Sequence, residues 1–257
     1  MPKTNRPQRL IKLWRFLQRP DLLFYLLLYF MALLIAGTVS QKWMGLFPAT
    51  KMFFNSFVIW YGILPLPAGA TILGLVFINL LVHFIVKSRW TLSSFGNNLA
   101  HLSVLILLLG GAAALAYKQE GFLLLAKGQP TANIYQSDED DFLKADSKPV
   151  FTLPFTVTLN ALDDGYYPGT DVAQYYLSAI DITDGDYTAS EYIAMNDPLR
   201  YRGYTFYQSS VLTLPDQQRI SVLSVVYNPG WLFPYLATAL LFLGLAFHAG
   251  VKIRERR

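Results

Sequence analysis

The chain has 257 residues, no cysteine, 53% hydrophobic residues, a formal net charge of +4 and a mean hydropathy of +0.33. Its apolar residues gather in blocks long enough to cross a bilayer, which marks an integral membrane protein rather than a soluble domain. The missing cysteine excludes disulfides, thiol redox chemistry, cysteine-ligated metal and a cysteine-linked prosthetic group. The positive charge lies beside apolar blocks, so it reads as topology and contact with a lipid membrane, not nucleic-acid binding.

Residues Met1 to Pro20, with Trp14 and Phe16 among the basic side chains, read as a juxtamembrane interfacial segment. Leu22 to Val39 is the first expected span, uncleaved because the basic leader is long and the apolar run fills the membrane thickness. Ser40 to Pro67 is rich in aromatics and ends at Pro65 and Pro67, which predicts either an interfacial helix on the outer surface or an outward extension of the second span. The second span, Ala68 to Val86, and the third, Leu99 to Tyr117, form a hairpin about KSRWTLSSFGNN. Gly96, Asn97 and Asn98 there are expected to separate the two helices. Trp231 to Val251 is the fourth span.

Four spans put both termini on one side, and twelve basic residues choose it: Lys3, Arg6, Arg9, Lys12, Arg15 and Arg19 before the first span, Lys87 and Arg89 between the second and third, and Lys252, Arg254, Arg256 and Arg257 after the fourth. That face is expected to be cytoplasmic. Residues 118–230, with 7 Lys plus Arg against 15 Asp plus Glu and a net charge of −8, are expected on the exported side. There VFTLPFTVTLN, AQYYLSAIDIT, DYTASEYIAM, YTFYQSS and RISVLSVVYN read as strands, separated by turn-forming Gly, Pro, Asp and Asn. The expected architecture is thus a four-span α-helical membrane protein with an exported all-β domain, sandwich or barrel-like, between spans three and four. Its parts are residues 1–117, 118–230 and 231–257. The acidic run SDEDDFLKADSK reads as a solvated loop.

The chain has three histidines and all fall in spans. His83 lies four residues before Lys87, His101 just after Asn98 and His248 four residues before Lys252. At about 1.5 Å per residue they share a depth near the cytoplasmic end of the membrane. Imidazole at such a position serves haem or metal ligation, proton relay or helix-to-helix hydrogen bonding. Clustering at one depth favours haem b, with His101 foremost and His83 and His248 as further candidates, since a low-spin haem takes two axial imidazoles. With no histidine or cysteine outside the spans, the exported domain offers no residue for the usual hydrolytic or acyl-transfer chemistry, and no catalytic residue is expected.

Met195 to Ser210, MNDPLRYRGYTFYQSS, resembles the signature of the ResB (CcsB) proteins of the system II cytochrome c maturation pathway. YNPG at Tyr227 to Gly230, the closing FHAGVKIR, FFNSFVIW, the INLLVH end of span two and NNLAHLSVLILLLGG of span three are similar to the same family, of which this is a short variant. The resemblance implies a large exported domain between the third and fourth spans and residence in the bacterial inner membrane. It implies a ResC/CcsA-type partner, with which the family delivers haem across the membrane and attaches it to apocytochrome c. The chain would be part of a haem-lyase complex and non-catalytic alone. The family's haem ligand in span three falls on His101, so that the second axial ligand would come from the partner. The alternative from a different class is a single-haem-b anchor and electron-transfer subunit of an exported redox complex. In the signature itself, Asn196, Pro198 and Gly203 are expected to shape a turn, Tyr204, Phe206 and Tyr207 to alternate along a strand, and Gln208 to satisfy backbone groups.

Overall fold

The structure, a computed structural model, describes residue 12, residues 14–135 and residues 149–255. Much of the basic leader and the acidic run at 137–148 lie outside the described residues. The chain divides into two compact units, residues 1–115 with 230–257, and residues 116–229.

The first unit contains four helices long and apolar enough to cross a membrane. The first, α1 (Pro20–Met44), opens with proline, whose missing N–H falls where a helix has no partner for it. Asp21 in that turn pairs with Arg19 at 2.9 Å. The segment expected as an interfacial helix is different. After α1 comes a five-residue helix, α2 (Leu46–Thr50), then a π-helical turn at Lys51–Asn55, then a hairpin of β1 (Val58–Tyr61) and β2 (Leu64–Pro67). Pro65 and Pro67 cannot donate inside a helix but are tolerated on a hairpin's free edge, and the Val-Ile-Trp-Tyr run favours the pleated conformation. The hairpin is tied to its neighbours: the Tyr29 hydroxyl donates to the Pro67 carbonyl at 2.9 Å, and the Thr71 hydroxyl to the Phe57 carbonyl at 2.6 Å. Leu33, Ile59 and Ala68 form a small buried cluster between them.

The remaining long helices are α3 (Gly69–Lys87), α4 (Leu92–Tyr117) and α5 (Phe233–Glu255). Helix α4 begins earlier than expected and takes Gly96, Asn97 and Asn98 into its first turns. Its start is set by Thr91 and Ser94: the Thr91 N–H donates to the Ser94 hydroxyl at 3.2 Å, and the Phe95 N–H to the Thr91 carbonyl at 2.9 Å. Asn98 donates to the Arg89 carbonyl at 2.9 Å and so closes the loop before the helix. Gly96 is small because α5 crosses it, not because the helix ends there. A Cβ at Gly96 would run into the Gly244 carbonyl oxygen and stand 2.6 Å from the His248 nitrogen. A Cβ at Gly244 would stand 2.8 Å from the Gly96 oxygen. Small residues that let two backbones touch are a common way for helices to associate in lipid, where burial of apolar surface gives no driving force.

The second unit is one eight-stranded antiparallel sheet. In chain order its strands are β3 (Gln119–Ala126), β4 (Pro130–Tyr135), β5 (Phe151–Tyr166), β6 (Ala173–Asp184), β7 (Tyr187–Ala194), β8 (Leu199–Tyr201), β9 (Tyr204–Thr213) and β10 (Arg219–Tyr227). They lie in the order β7-β6-β5-β4-β3-β10-β9-β8. Five match the expected strands, with β5 extended through Asp163 and Asp164 into what reads as a turn. Strands β3, β4 and β8 are not evident in the sequence. The sheet curls so that β6 approaches β9 and β10: the Ser178 hydroxyl lies 2.7 Å from both Gln208 Oε1 and the Ser221 hydroxyl. Alternating residues point inward, and Leu123, Val157, Ile180, Ile193, Phe206 and Leu223 are fully buried at its centre.

The Gly96 crossing predicts an asymmetric response to adding one methyl. Gly96→Ala should destabilise the detergent-solubilised protein by about 1–3 kcal/mol, the usual cost of overpacking. Gly111→Ala on the same helix, where a Cβ meets nothing within 4 Å, should stay within about 0.5 kcal/mol of the parent. Thermal unfolding of the two variants checks this, and equal melting temperatures would count against the crossing.

Candidate functional site

The polar residues of interest begin on α3. Asn79 and His83 are four residues apart and therefore share a helix face. Asn79 is only 2% exposed, so its amide needs partners. It finds them in the turn that precedes α1, where the Gln18 N–H donates to the Trp14 carbonyl at 3.2 Å and the Arg19 N–H to the Phe16 carbonyl at 3.1 Å. The chain breaks there, leaving carbonyls that no helix satisfies. The Asn79 amide donates to two of them, the carbonyl of Leu17 and, at 3.2 Å, that of Arg19. One turn along α3, His83 Nδ1 stands 3.4 Å from the Gln18 carbonyl between them. Three consecutive carbonyls are thus taken up by one face of α3. The Gln18 Oε1 in the same turn is buried with no hydrogen-bond partner among the described residues.

His101 comes from α4, its Nδ1 2.9 Å from the Asn97 carbonyl one turn back in its own helix. The His83 and His101 rings lie beside one another, with centroids 6.4 Å apart and planes 19° from parallel. Both rings are half-buried. A carbonyl oxygen only accepts, so in each contact Nδ1 is the donor and carries the ring proton. In a neutral ring Nε2 is then the nitrogen that keeps the lone pair. Holding one ring nitrogen on a backbone carbonyl is the usual way to fix the tautomer of a metal-ligating histidine. Among the described residues no group of three or more His, Cys, Asp or Glu could hold a metal ion.

His248 does not join this pair. Its backbone nitrogen and Cβ lie against Gly96 at the α4–α5 crossing, and its Nδ1 is buried with no hydrogen-bond partner among the described residues. The shared depth expected from residue counting therefore brings two of the three rings together. Asn79 escaped sequence reasoning altogether. An Asn inside the INLLVH run was the visible signal, since a buried amide in an apolar helix needs a partner.

In the β unit the signature residues build a scaffold. Arg202 and Gly203 both have positive φ, 47° and 83°, in the tight turn joining β8 to β9. The Arg202 Nε pairs with Asp184 at 2.7 Å, and the Tyr201 hydroxyl donates to the same carboxylate at 2.8 Å, which anchors this hairpin to the end of β6. Phe206 is fully buried and Tyr207 is 41% exposed, so they alternate as expected. Gln208 serves mainly side chains instead of backbone. It accepts from Ser178, donates to the Ser221 hydroxyl at 3.1 Å and reaches the Ser210 carbonyl at 3.2 Å. On the β5–β6 hairpin, the Tyr166 hydroxyl's hydrogen bonds to Tyr176 and then to Asp164 push its pKa up to about 12, and Asp164 also pairs with Arg219 at the start of β10.

Four apolar helices of spanning length, one curled antiparallel sheet and two neighbouring imidazoles between two of the helices mark the chain as a membrane protein with a polar cluster inside its helical unit. The chain belongs to the ResB-like family, whose model matches residues 87–215, half of its length. It is 35% identical over 98 residues to Protein NrfI of Wolinella succinogenes, a stretch covering 37% of this chain and 10% of NrfI. The chain therefore spans about a tenth of the length of that curated relative. Among solved structures, it is similar at 15% identity to Cytochrome c Heme Lyase CcmF, covering 86% of this chain and 34% of that one with a TM-score of 0.37.

The matched stretch includes Gln208, and its role is testable apart from any ligand. Gln208→Ala leaves the buried hydroxyls of Ser178 and Ser221 with only each other. It should destabilise the β unit by about 1–3 kcal/mol, measured by thermal unfolding in near-ultraviolet circular dichroism. Unchanged unfolding would show that the network carries no stability.

Proposed function

We propose that this chain is a membrane subunit of a cytochrome c maturation complex. It takes part in delivering haem across the bacterial cell membrane and attaching it to apocytochrome c, together with a ResC/CcsA-type membrane partner. Membership of the ResB-like family supports the pathway. The observation that carries the chemistry is the His101 ring, held through Nδ1 on the Asn97 carbonyl at 2.9 Å. In this reading His101 is an axial ligand of haem b and the partner supplies the second one. Two protein ligands suffice because the macrocycle fills the other four positions on iron. The chain's own residues hold and orient the group; the partner contributes the attachment chemistry.

The basic residues flanking the helical ends support a reading in which both termini lie in the cytoplasm of a multi-pass inner-membrane protein. The acidic β unit is then exported, where apocytochrome c is met. The approach of His83 to His101 favours the competing reading as well, a single haem b held permanently by this chain as an electron-transfer anchor.

Co-purification with the partner, followed by a reduced-minus-oxidised visible spectrum, tests the proposal. The expected result is a low-spin haem in the complex that falls at least about tenfold in His101→Ala, as for loss of an axial ligand. Undiminished low-spin haem in the His101→Ala complex would overturn the assignment. Stoichiometric haem in the isolated chain, with a spectrum unaltered by the partner, would instead favour the electron-transfer anchor.

A further inference from the structure

We propose that the groove between the start of α4 and the end of α5 is a binding site for an anionic phospholipid, with Arg254 and the hydroxyls of Thr91 and Ser93 holding its phosphate and an acyl chain lying along the helices. The two helices touch at Gly96 and Gly244, where neither position has room for a Cβ. Beyond that contact, toward the end of α5, they leave a groove of about 810 Å³. Its lining is of two kinds. Thr91, Ser93 and Arg254 are polar and stand at the helix ends, whereas Val251 and Phe247 follow one and two turns further into α5 and face Leu92 of α4 across the same groove. Residues three, four and seven apart share a helix face, so α5 presents one strip that is basic at its end and apolar above it. Gly250 lies on that strip, and a Cβ there would meet nothing within 4 Å. Its smallness leaves space that no part of the chain fills.

An aromatic row sets the depth of the groove. Phe84, Trp90, Phe95 and Phe247 stand ring beside ring with successive centroids 6.0, 5.9 and 5.0 Å apart, joining the end of α3 to α4 and α5. Tryptophan is favoured at the level of lipid headgroups, so the polar end of the groove lies among phosphates and its apolar part among the first carbons of the chains. The charge fits the same occupant. Lys87, Arg89, Lys252 and Arg254 gather at this end of the helices against one acid, Glu255. Glu255 lines the groove and would repel a phosphate, but its carboxylate pairs with Lys252 at 3.4 Å. Arg254 has no ion pair among the described residues, which leaves its planar guanidinium to meet two phosphate oxygens at once. The excess positive charge favours an anionic headgroup over a zwitterionic one, as in other basic pockets between spans. Bound there, the lipid fills the wedge beyond the glycine crossing and braces α4 against α5.

Lipid binding by the purified full-length chain in detergent tests the proposal, read by native mass spectrometry with phosphatidylglycerol or phosphatidylcholine of the same acyl chains. The parent should retain phosphatidylglycerol and prefer it by at least about fivefold, the scale of one basic residue at a membrane surface. Arg254→Gln should lose that preference, and Glu255→Gln should strengthen it. Gly250→Leu, which fills the apolar strip without a clash, should weaken both lipids alike. Thermal unfolding of Arg254→Gln and Gly250→Leu in lipid-free detergent should occur no lower than for the parent, so that lost binding is not lost folding. Equal retention of the two lipids by the parent would mean unselective annular lipid and would overturn the proposal. A preference unchanged in Arg254→Gln would remove the phosphate assignment, and binding unchanged in Gly250→Leu would remove the groove. Displacement of phosphatidylglycerol by millimolar inorganic phosphate would make the ligand a free anion and contradict a lipid site.

Discussion

A single buried amide organises the histidine end of the helical unit. Asn79 sits in an otherwise apolar stretch of α3, and an amide there without partners would cost about 1–3 kcal/mol by mutational measures. The carbonyls of Leu17 and Arg19 meet that need and lose their own deficit in the same contact. The consequence reaches beyond the local bonds. With Tyr29 on the Pro67 carbonyl at the other end, α1 and α3 are pinned antiparallel at two levels, and the start of α1 is set against the last turns of α3. His83 takes its orientation from that placement.

The second constraint on the same site comes from the crossing of α4 and α5. Gly96 and Gly244 bring those backbones into contact, and His101 follows one and a half turns after Gly96 on α4. One histidine is therefore set by a hydrogen bond within its own rigid helix, the other by a turn from elsewhere in the chain. The β unit follows separate rules. Its stability rests on a curled apolar core closed by the Ser178, Gln208 and Ser221 hydroxyl and amide groups, and its signature hairpin is fastened by Asp184.

The long helices were legible because length and uninterrupted apolarity are strong signals, and four of the expected spans correspond to helices of spanning length. Their ends were less so. Gly96, Asn97 and Asn98 look like a helix boundary by composition, yet the glycine serves a backbone contact with a helix about 150 residues later in the chain, a relation that no local pattern encodes. The hairpin at Val58–Pro67 was hidden by its aromatic content, which suits a membrane interface as well as a strand. Strand β3 was missed because Phe-Leu-Leu-Leu gives no alternation, and β8 because it has three residues. At the site, residue counting placed the three histidines at one depth but could not tell which rings face one another. Depth fixes one coordinate of a helical side chain, and its rotation about the helix axis depends on packing. That is why His83 meets His101 while His248 lies against Gly96. Asn79 was overlooked because its partners are main-chain atoms of a distant turn.

The most direct test of His101 as a haem ligand serving cytochrome c maturation is the amount of covalently attached cytochrome c in cells dependent on this protein. A strain whose only copy carries His101→Ala should make the membrane protein at the parental level, by immunoblot, yet retain less than about a tenth of the parental haem-stained cytochrome c, the scale expected when an axial ligand is lost. Parental levels of covalent cytochrome c in that strain would contradict the role assigned to His101.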